Sequence, residues 1–284
     1  MTQTVSTAPP PFDPIPWSTL GEAAVGILTT ADAERKAHLA QAVGNAWSKG
    51  LLAFEFDDVC PPDRPARPPL PELRSHRDMP RRRAGGEKGR FALLHALAHI
   101  ELNAIDLAFD MIARFGPGMP RAFSHDWVYV GAEEGKHFNL LSDRLNTLSG
   151  AYGDLPAHDG LWDAAYSTKE NFLARLAVVP MVLEARGLDV TPAMIKKLET
   201  VGDDESAALL KIIYEDEKGH VAAGTRWFSS ETERLGLDPR TTFHDLVRTY
   251  FRGDLKRPFN DAARAAAGLP VSFYEPLAAP SDRK

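Results

Sequence analysis

The sequence predicts an all-α protein built on a four-helix bundle, with additional N- and C-terminal helices and extended segments. Three observations support this. Apolar residues recur at helical spacing through four long segments. No alternating β pattern of any length interrupts them. A set of glutamates and a histidine, one set for each pair of these segments, recurs at a constant offset of 83 residues.

The repeated set consists of a lone glutamate followed 33 residues later by Glu-x-x-His. The first set is Glu101, Glu134 and His137, and the second is Glu184, Glu217 and His220. The lone glutamates are predicted to lie on the first and third bundle helices. Each Glu-x-x-His then lies on the second or the fourth helix.

Helix geometry explains both spacings. Positions i and i+3 share a helix face, so Glu134 and His137 can bind one metal ion together. A helix-turn-helix of this length forms two antiparallel rods of roughly 20 Å or more, because a helix rises about 1.5 Å per residue. The lone glutamate is therefore expected to lie level with the Glu-x-x-His of its partner helix.

The apolar residues around these positions favour a buried site over a solvated one. A single Glu-x-x-His is more typical of a solvated helix face. Here, however, Val130 and Ile213 stand at the same 83-residue offset, one turn before Glu134 and Glu217. Four carboxylates on inward faces are costly to bury unless they coordinate a cation. The pattern therefore predicts a metal site.

The N-terminal part divides into two regions. Residues 1–16 contain five prolines and are predicted to be a disordered Pro-rich arm. Residues 17–90 are predicted to hold N-terminal helices and a basic Pro-rich linker packed on the bundle. Thr30 is a suitable N-cap for a helix that runs to about Lys49.

The linker from residue 60 to residue 90 carries nine Lys and Arg against four acidic residues, a net charge of +5. Its prolines exclude a long helix. We expect an extended connector whose arginines pair with an acidic bundle surface. The alternative is a contact for an anionic substrate such as RNA, with Arg81, Arg82 and Arg83 at its centre.

Residues 91–235 are predicted to form the di-metal four-helix bundle. Gly116-Pro117-Gly118 is expected to end its first helix, and Ser124 or His125 to start the second. The third helix is expected to run from about Ser167 to Gly187. Thr191-Pro192 is expected to open a separate short helix, and Asp203 or Asp204 to cap the fourth main helix.

Residues 236–284 are predicted to form C-terminal helices and a strap. One helix is expected near Phe243–Phe251. A second is expected after Asn260, closed by Gly268. The end, with Phe273 and Tyr274, is expected to pack on the bundle as an extended strap.

The composition of the chain limits the classes of function and the cellular setting that are expected. The chain has 284 residues, is 44% hydrophobic and carries a formal net charge of −6, which does not favour wholesale nucleic-acid binding. Cys60 is the one cysteine, so an intrachain disulfide is excluded and a cytoplasmic setting is expected. We expect no membrane association, because no apolar run approaches about 20 residues.

Several motifs resemble those of a bacterial ferritin-like family of unknown function. They are His95-Ala-Leu-Ala-His99-Ile-Glu101, Glu134-Gly-Lys-His137-Phe, Leu183-Glu184-Ala-Arg-Gly-Leu-Asp189, Glu215-Asp-Glu217-Lys-Gly-His220 and Pro258-Phe-Asn260-x-x-Ala-Arg264. The resemblance covers most of the chain and implies a ferritin-like bundle. It implies the six repeated residues as metal ligands, the arrangement known in ferritin-like di-metal carboxylate proteins. The ligand pattern is also distantly similar to that of the ferritin-like tRNA hydroxylase, a di-iron enzyme.

Four carboxylates and two imidazoles suit two first-row transition metals with open coordination positions. Structural zinc more often has cysteine ligands, and calcium prefers oxygen. Two iron ions are therefore expected, with manganese or a manganese/iron pair as the alternative. The expected function is a di-iron oxidoreductase that activates O₂, an oxidase or hydroxylase in which these six residues are also the catalytic ones.

Two other functions stay open: a ferroxidase or iron-handling protein, and a non-catalytic binding module stabilised by metal. Large additions outside the bundle favour the oxidoreductase over a storage cage. The sequence does not name the electron donor or choose between a small-molecule and an RNA substrate. A homodimer is also compatible with it.

Other residues near the repeated set have weaker claims. His95 and His99 share a helix face, and one of them is expected to donate to a bundle carboxylate. Tyr214 is expected to pack in the core or to hydrogen-bond a ligand, and Tyr129 is a weaker candidate. Glu215 and Asp216 are expected to be surface charges. Arg186 is expected to pair with acidic residues of the bundle.

Overall fold

The computed structural model of the protein describes residues 15–79 and 86–279, and within these ranges every regular element is helical. The described β contacts are isolated bridges: Thr19 with Ala53, Leu73 with Ala157 and Leu255 with Ala278. The prediction of an all-α protein is confirmed. The expected disordered arm lies mostly outside the described residues, as do Arg81, Arg82 and Arg83.

Four long helical segments form the bundle. They are α3 (Gly86–Phe115), α4 (Arg121–Thr147), the third segment, and α8 (Asp204–Arg234). The third segment comprises α6 (Phe172–Val178), a π-helix (Val179–Glu184) and α7 (Ala185–Thr200). α3 packs on α4, α7 packs on α8, and α4 and α8 join the two pairs. This arrangement brings the two repeated halves face to face.

The chain begins α4 and continues α7 differently from the prediction. Gly116-Pro117-Gly118 does end α3, but α4 starts at Arg121 rather than at Ser124 or His125. The helix does not end at Gly187. It runs on to Thr200 with Pro192 inside it, and Thr191-Pro192 does not open a separate helix.

A helical hairpin covers one side of the bundle. α1 (Leu20–Thr29) packs on α3, and α2 (Ala33–Ser48) packs on α4. Thr30 is the C-cap of α1 and not the predicted N-cap, because Asp32 accepts the Arg35 N–H and starts α2. A short helix α5 (Gly160–Ser167) precedes α6, so the third helix has no single start at Ser167.

The C-terminal residues pack on the third segment and α8. α9 (Pro239–Tyr250) contacts α6 and α8, and α10 (Asp261–Ala266) contacts α7 and α8. Asn260 caps α10 through the Ala263 N–H, as its predicted position requires. The expected extended strap is instead a short helix α11 (Val271–Tyr274) followed by a 3₁₀ turn, with Tyr274 fully buried.

Among the described helices, α3 alone is long and apolar enough to cross a membrane by length and composition. The sequence was expected to contain no apolar run of about this length, and α3 is the exception. However, 72% of its most apolar window is buried inside the bundle. It is therefore the central helix of the core, and its apolar residues face other helices.

Candidate metal centre

The six repeated residues converge in the middle of the bundle. Glu101 comes from α3, Glu134 and His137 from α4, Glu184 from the last position of the π-helix, and Glu217 and His220 from α8. One ligand atom each of Glu101, Glu134, His137 and Glu217 lies within 4.8 Å of the others. Such a cluster can hold a metal ion.

Glu134 lies between the two histidines. Its Oε1 is 2.9 Å from His220 Nδ1, and its Oε2 is 3.5 Å from His137 Nδ1. The two imidazole rings have their centroids 5.7 Å apart. A single carboxylate thus faces both halves of the repeat, which is the position that a carboxylate bridging two ions requires.

The other glutamates extend the cluster on each side. Glu101 Oε2 is 3.4 Å from His137 Nδ1, and Glu217 Oε1 is 3.5 Å from His220 Nδ1. Glu184 lies near enough to Glu217 and Glu134 for the charges of both carboxylates to raise its pKa. Each half of the repeat therefore supplies one histidine and two glutamates.

Several buried atoms that point into the cluster make no well-aligned hydrogen bond: Glu101 Oε2, Glu134 Oε2, Glu184 Oε2, His137 Nδ1 and His220 Nδ1. The two histidine nitrogens lie 2.9–3.5 Å from glutamate oxygens of the cluster, in ion-pair contacts. A cation shared by these atoms would satisfy polar groups that these contacts satisfy incompletely. Oxygen and imidazole nitrogen atoms are good ligands for first-row metals. The residues present therefore fit a metal centre.

The electrostatics of the cluster are those of several carboxylates buried close together. Burial, followed by repulsion from Glu134, raises the pKa of Glu101 well above its usual value. Burial, followed by repulsion from Glu217, raises the pKa of Glu184 to about 8. Burial also opposes ionisation of Glu134, but His220 and His137 outweigh it and lower the pKa of Glu134. Cations at the centre would favour all of the ionised carboxylates.

Each histidine is held from behind by an acid on the opposite helix. His137 Nε2 lies 3.0 Å from Asp216 Oδ2, and His220 Nε2 lies 2.9 Å from Glu133 Oε2. These contacts leave both Nδ1 atoms facing the cluster. Hydrogen bonding of this type fixes the ring orientation of metal-bound histidines.

The expectation that Asp216 is a surface charge is wrong. Its bond to His137, with one to Lys136 Nζ, lowers the pKa of Asp216 to about 2. Glu133 is a further residue of the site that the sequence prediction missed. Yet Glu133 and Asp216 stand 83 residues apart, each directly before a ligand glutamate, so the offset that revealed the ligands includes them too. Glu215 is exposed and pairs with Lys218, as expected.

His95 and His99 bind a loop. One of them was expected to donate to a carboxylate of the bundle, and the structure instead gives the following contacts. His95 Nε2 accepts the N–H groups of Gly153 and Leu155. His99 Nδ1 lies 2.8 Å from the Tyr152 hydroxyl. Both rings stack with Tyr152. The loop they anchor links the two halves of the bundle.

Tyr214 packs against the core, and its hydroxyl accepts a hydrogen bond from Asn260 Nδ2 at 2.9 Å. Of its two expected roles, the structure therefore describes core packing, with its hydroxyl bonded to the tail. Tyr129 is 61% exposed and lies beside Glu133, whose charge raises the pKa of the phenol.

Two of the sequence motifs meet outside the metal cluster. Arg264 forms a two-pronged ion pair with Asp189 at 2.8 and 2.7 Å, and both residues are buried. The Asn260 N–H also donates to Asp189. Arg186, expected to pair with bundle acids, contacts Asp189 at 3.4 Å and binds the carbonyls of Lys256 and Pro258. These contacts tie the C-terminal tail to the helix that follows Glu184.

Comparison with known proteins places these residues in a family. The model of the family described as "Protein of unknown function (DUF455)" matches residues 29–275, a range that includes all six cluster residues. A Haemophilus influenzae protein (strain ATCC 51907 / DSM 11121 / KW20 / Rd), described as "Uncharacterized protein", is 41% identical over 222 residues. That alignment covers 76% of this chain and 77% of the relative. No solved structure matches the chain.

Proposed function

The chain belongs to this family of unknown function, and from its Glu/His cluster we propose that it is a ferritin-like di-iron oxidoreductase that activates O₂. The observation that carries the proposal is the convergence of buried glutamate and histidine side chains from both halves of the repeat on one centre. A manganese/iron pair is the alternative metal content. The substrate is an organic molecule that enters beside the cluster.

The ligand assignment follows the two-fold repeat. Glu101 and His137 would hold one ion, Glu184, Glu217 and His220 would hold the other, and Glu134 lies between the two histidines. Six protein ligands leave each ion with open positions, as a catalytic site requires. Bound iron supplies electrons to O₂ and stabilises the charge that develops on oxygen.

The protein's own residues prepare the site for this chemistry. Asp216 and Glu133 keep the two imidazoles oriented with Nδ1 inward. Buried apolar side chains of α3, α4 and α8 lie close in sequence to the cluster residues. They are Leu102, Ile105, Val130 and Ile213. An apolar surrounding limits the access of water and strengthens the electrostatic interactions within the site.

An anaerobic titration with Fe(II) tests the proposal. Wild-type protein is expected to bind about two ions per chain, the content of this ligand template. Glu134→Ala is expected to lose more iron than Glu217→Ala, because Glu134 faces both histidines and Glu217 faces one. Glu215→Ala, an exposed glutamate two residues before Glu217, is the matched control and is expected to bind iron normally.

Admission of air provides the second part of the test. The bound Fe(II) is expected to oxidise faster than the same iron free in buffer, because a carboxylate-rich shell stabilises Fe(III). A content near one ion per chain, or oxidation no faster than in buffer, would count against the di-iron oxidoreductase. It would favour the binding module that is stabilised by metal.

A further inference from the structure

A cleft of about 220 Å³ lies between α4 and α8, directly beside the cluster. Its lining includes Glu133, Val130 and Tyr129 from α4, with Gly219, His220 and Ala223 from α8. We name it the entrance cleft. His220 forms the boundary between the entrance cleft and the cluster, because its Nδ1 lies 2.9 Å from Glu134 while its ring also lines the cleft.

The entrance cleft exists where the two halves of the repeat differ. At the 83-residue offset, Gly219 corresponds to Lys136, and Ala223 corresponds to Leu140. The smallest side chains therefore line one side of the centre. A side-chain carbon added at Gly219 would meet no atom within 4 Å, so this position opens onto free space.

The corresponding position of the other half is occupied. The Lys136 side chain extends to Asp216, with Nζ 2.5 Å from Oδ2. Tyr129, an aromatic wall of the entrance cleft, corresponds to Ile212. Asp216 and Glu133 make equivalent contacts with the two histidines, but their surroundings differ: Glu133 lines the cleft, and Asp216 is paired with Lys136.

The charged groups around the entrance cleft are already paired. Arg226 binds Asp126 at 2.6 Å, and the Trp227 indole N–H donates to the same carboxylate. Glu133 is paired with His220. An ionic ligand would compete with these existing pairs for the same charged groups. The lining therefore suits a molecule without net charge.

We propose that the entrance cleft is the route by which a small uncharged organic molecule approaches the metal centre from the His220 side. The proposal rests on the proposed function, since it concerns access to the same centre. Tyr129 offers its ring and Val130 and Ala223 offer apolar walls for such a molecule. Clefts with apolar walls and a few polar groups are the usual form of small-molecule sites.

The test blocks the entrance cleft after the protein has folded. Gly219→Cys is prepared in a Cys60→Ser background, because Cys60 is exposed and would also react. The protein is loaded with iron, oxidised in air and then labelled with N-(1-pyrenyl)maleimide. Ile212→Cys is the matched control: it is the counterpart of Tyr129 on the other half and is 46% exposed.

The readout is the association rate of acetohydroxamic acid, a small uncharged molecule that forms a coloured complex with Fe(III). Labelled Gly219→Cys is expected to associate about tenfold more slowly, within the range that variants of one site show. Labelled Ile212→Cys is expected to keep the rate of unlabelled protein. Iron content is measured in every sample, so that loss of metal is separated from loss of access.

Two outcomes would contradict the entrance, and a third would contradict the proposed function. Equal rates in labelled and unlabelled Gly219→Cys would overturn the entrance, and so would slowing by the label at Ile212. Wild-type protein that holds no iron, or forms no coloured complex, would overturn the proposed function itself. A slow reaction in labelled Gly219→Cys with full iron content supports both.

The charge of the ligand is tested with two molecules of similar size. Benzyl alcohol is expected to slow the association of acetohydroxamic acid in the unlabelled protein by occupying the entrance cleft. Benzoate at the same concentration is expected to have a much smaller effect, because its charge has no unpaired partner there. Equal competition by benzoate would overturn the assignment to uncharged molecules.

Discussion

At the scale of single residues, the acids behind the histidines explain why the imidazoles face the centre. A neutral imidazole that donates from Nε2 leaves the lone pair of Nδ1 for a metal. Asp216 and Glu133 accept these bonds across the α4–α8 interface. The two pairs cross, so each histidine depends on the helix that carries the other.

Removing the charge of these acids is expected to weaken metal binding. Asp216→Asn and Glu133→Gln keep the size of the side chain but lose the carboxylate, and each should lower iron affinity by about 10–100-fold. Glu215→Gln, at the exposed neighbour of Asp216, is the control. Competition with a coloured chelator measures the affinities. Unchanged affinity in both variants would mean that the acids only support the fold.

Glu184 makes the stability of the metal-free protein sensitive to pH. Burial and the neighbouring carboxylates raise its pKa from 4.5 to about 8 in the folded state. A group with a raised folded pKa contributes stability that is fully present below its unfolded pKa. That contribution is lost as pH rises through the folded pKa. For Glu184, the loss falls between about pH 4.5 and pH 8.

The metal-free protein is therefore expected to lose stability as pH rises from about 5 to about 8. Glu184→Gln, which stays neutral, should show a smaller loss over the same range. Urea unfolding in the presence of a chelator measures both, and iron-loaded protein should resist the loss because cations favour the ionised carboxylates. Parallel pH curves for wild type and Glu184→Gln would exclude Glu184 as a source of the effect.

At the scale of the elements, the π-helix is the feature that positions Glu184. It spans Val179–Glu184 and has Pro180 near its start, where the missing N–H breaks the α-helical hydrogen-bond ladder. π-turns inside helices are frequent at functional sites. α8 makes room for it at Gly224, where a side-chain carbon would lie 2.5 Å from Pro180 Cβ and Cγ.

Gly224→Ala is expected to destabilise the protein by about 1–3 kcal/mol, because the added methyl group overpacks a close contact. It should also weaken iron binding, since the displaced π-helix carries Glu184. Gly187→Ala is the matched control, because its side-chain carbon meets no atom within 4 Å. That change should stabilise the protein by about 0.5–1 kcal/mol. Urea unfolding and iron titration provide the readouts, and a neutral Gly224→Ala would contradict the close contact.

The tail is the second element that bears on Glu184. Arg264 and Asp189 form a buried ion pair, and Asn260 ties the start of α10 to both Asp189 and Tyr214. Removing one partner of such a pair leaves an uncompensated buried charge. The motif from Pro258 to Arg264 therefore holds the helix after Glu184 in place.

At the scale of the whole molecule, the sequence predicted what depends on periodicity. Helical spacing predicted the all-α class, and the 83-residue offset predicted that six residues meet at one centre. It did not predict what depends on contacts between distant segments. Examples are the close packing of Pro180 in the π-helix against Gly224 of α8, and the contact of Asp216 with His137 on another helix. The sequence pattern predicted Thr30 as the N-cap of the next helix, whereas Thr30 ends α1 and Asp32 caps α2.

The linker between the hairpin and α3 depends on such distant contacts throughout. Arg67 binds Asp106 at 3.2 Å and Asn103, both on α3, and Lys36 from α2 binds the same Asp106 at 2.5 Å. Arg64 pairs with Asp159 and Asp163 at the surface. These contacts support the expected connector rather than a free basic surface, over the part of the linker that the structure describes.

Replacing the two linker arginines should therefore have unequal effects. Arg67→Ala leaves buried Asp106 with one cation fewer and is expected to cost about 1.5–3 kcal/mol, the range for hydrogen bonds to charged groups. Arg64→Ala removes a side chain that is 60% exposed and should cost less than about 1 kcal/mol. Urea unfolding measures both. Binding of a short single-stranded RNA, followed across salt concentrations, is measured alongside. An anionic partner would be favoured over the structural connector by one combination of results. The wild type would bind that RNA with an affinity that falls steeply with salt, and Arg67→Ala would lose this binding while keeping its stability.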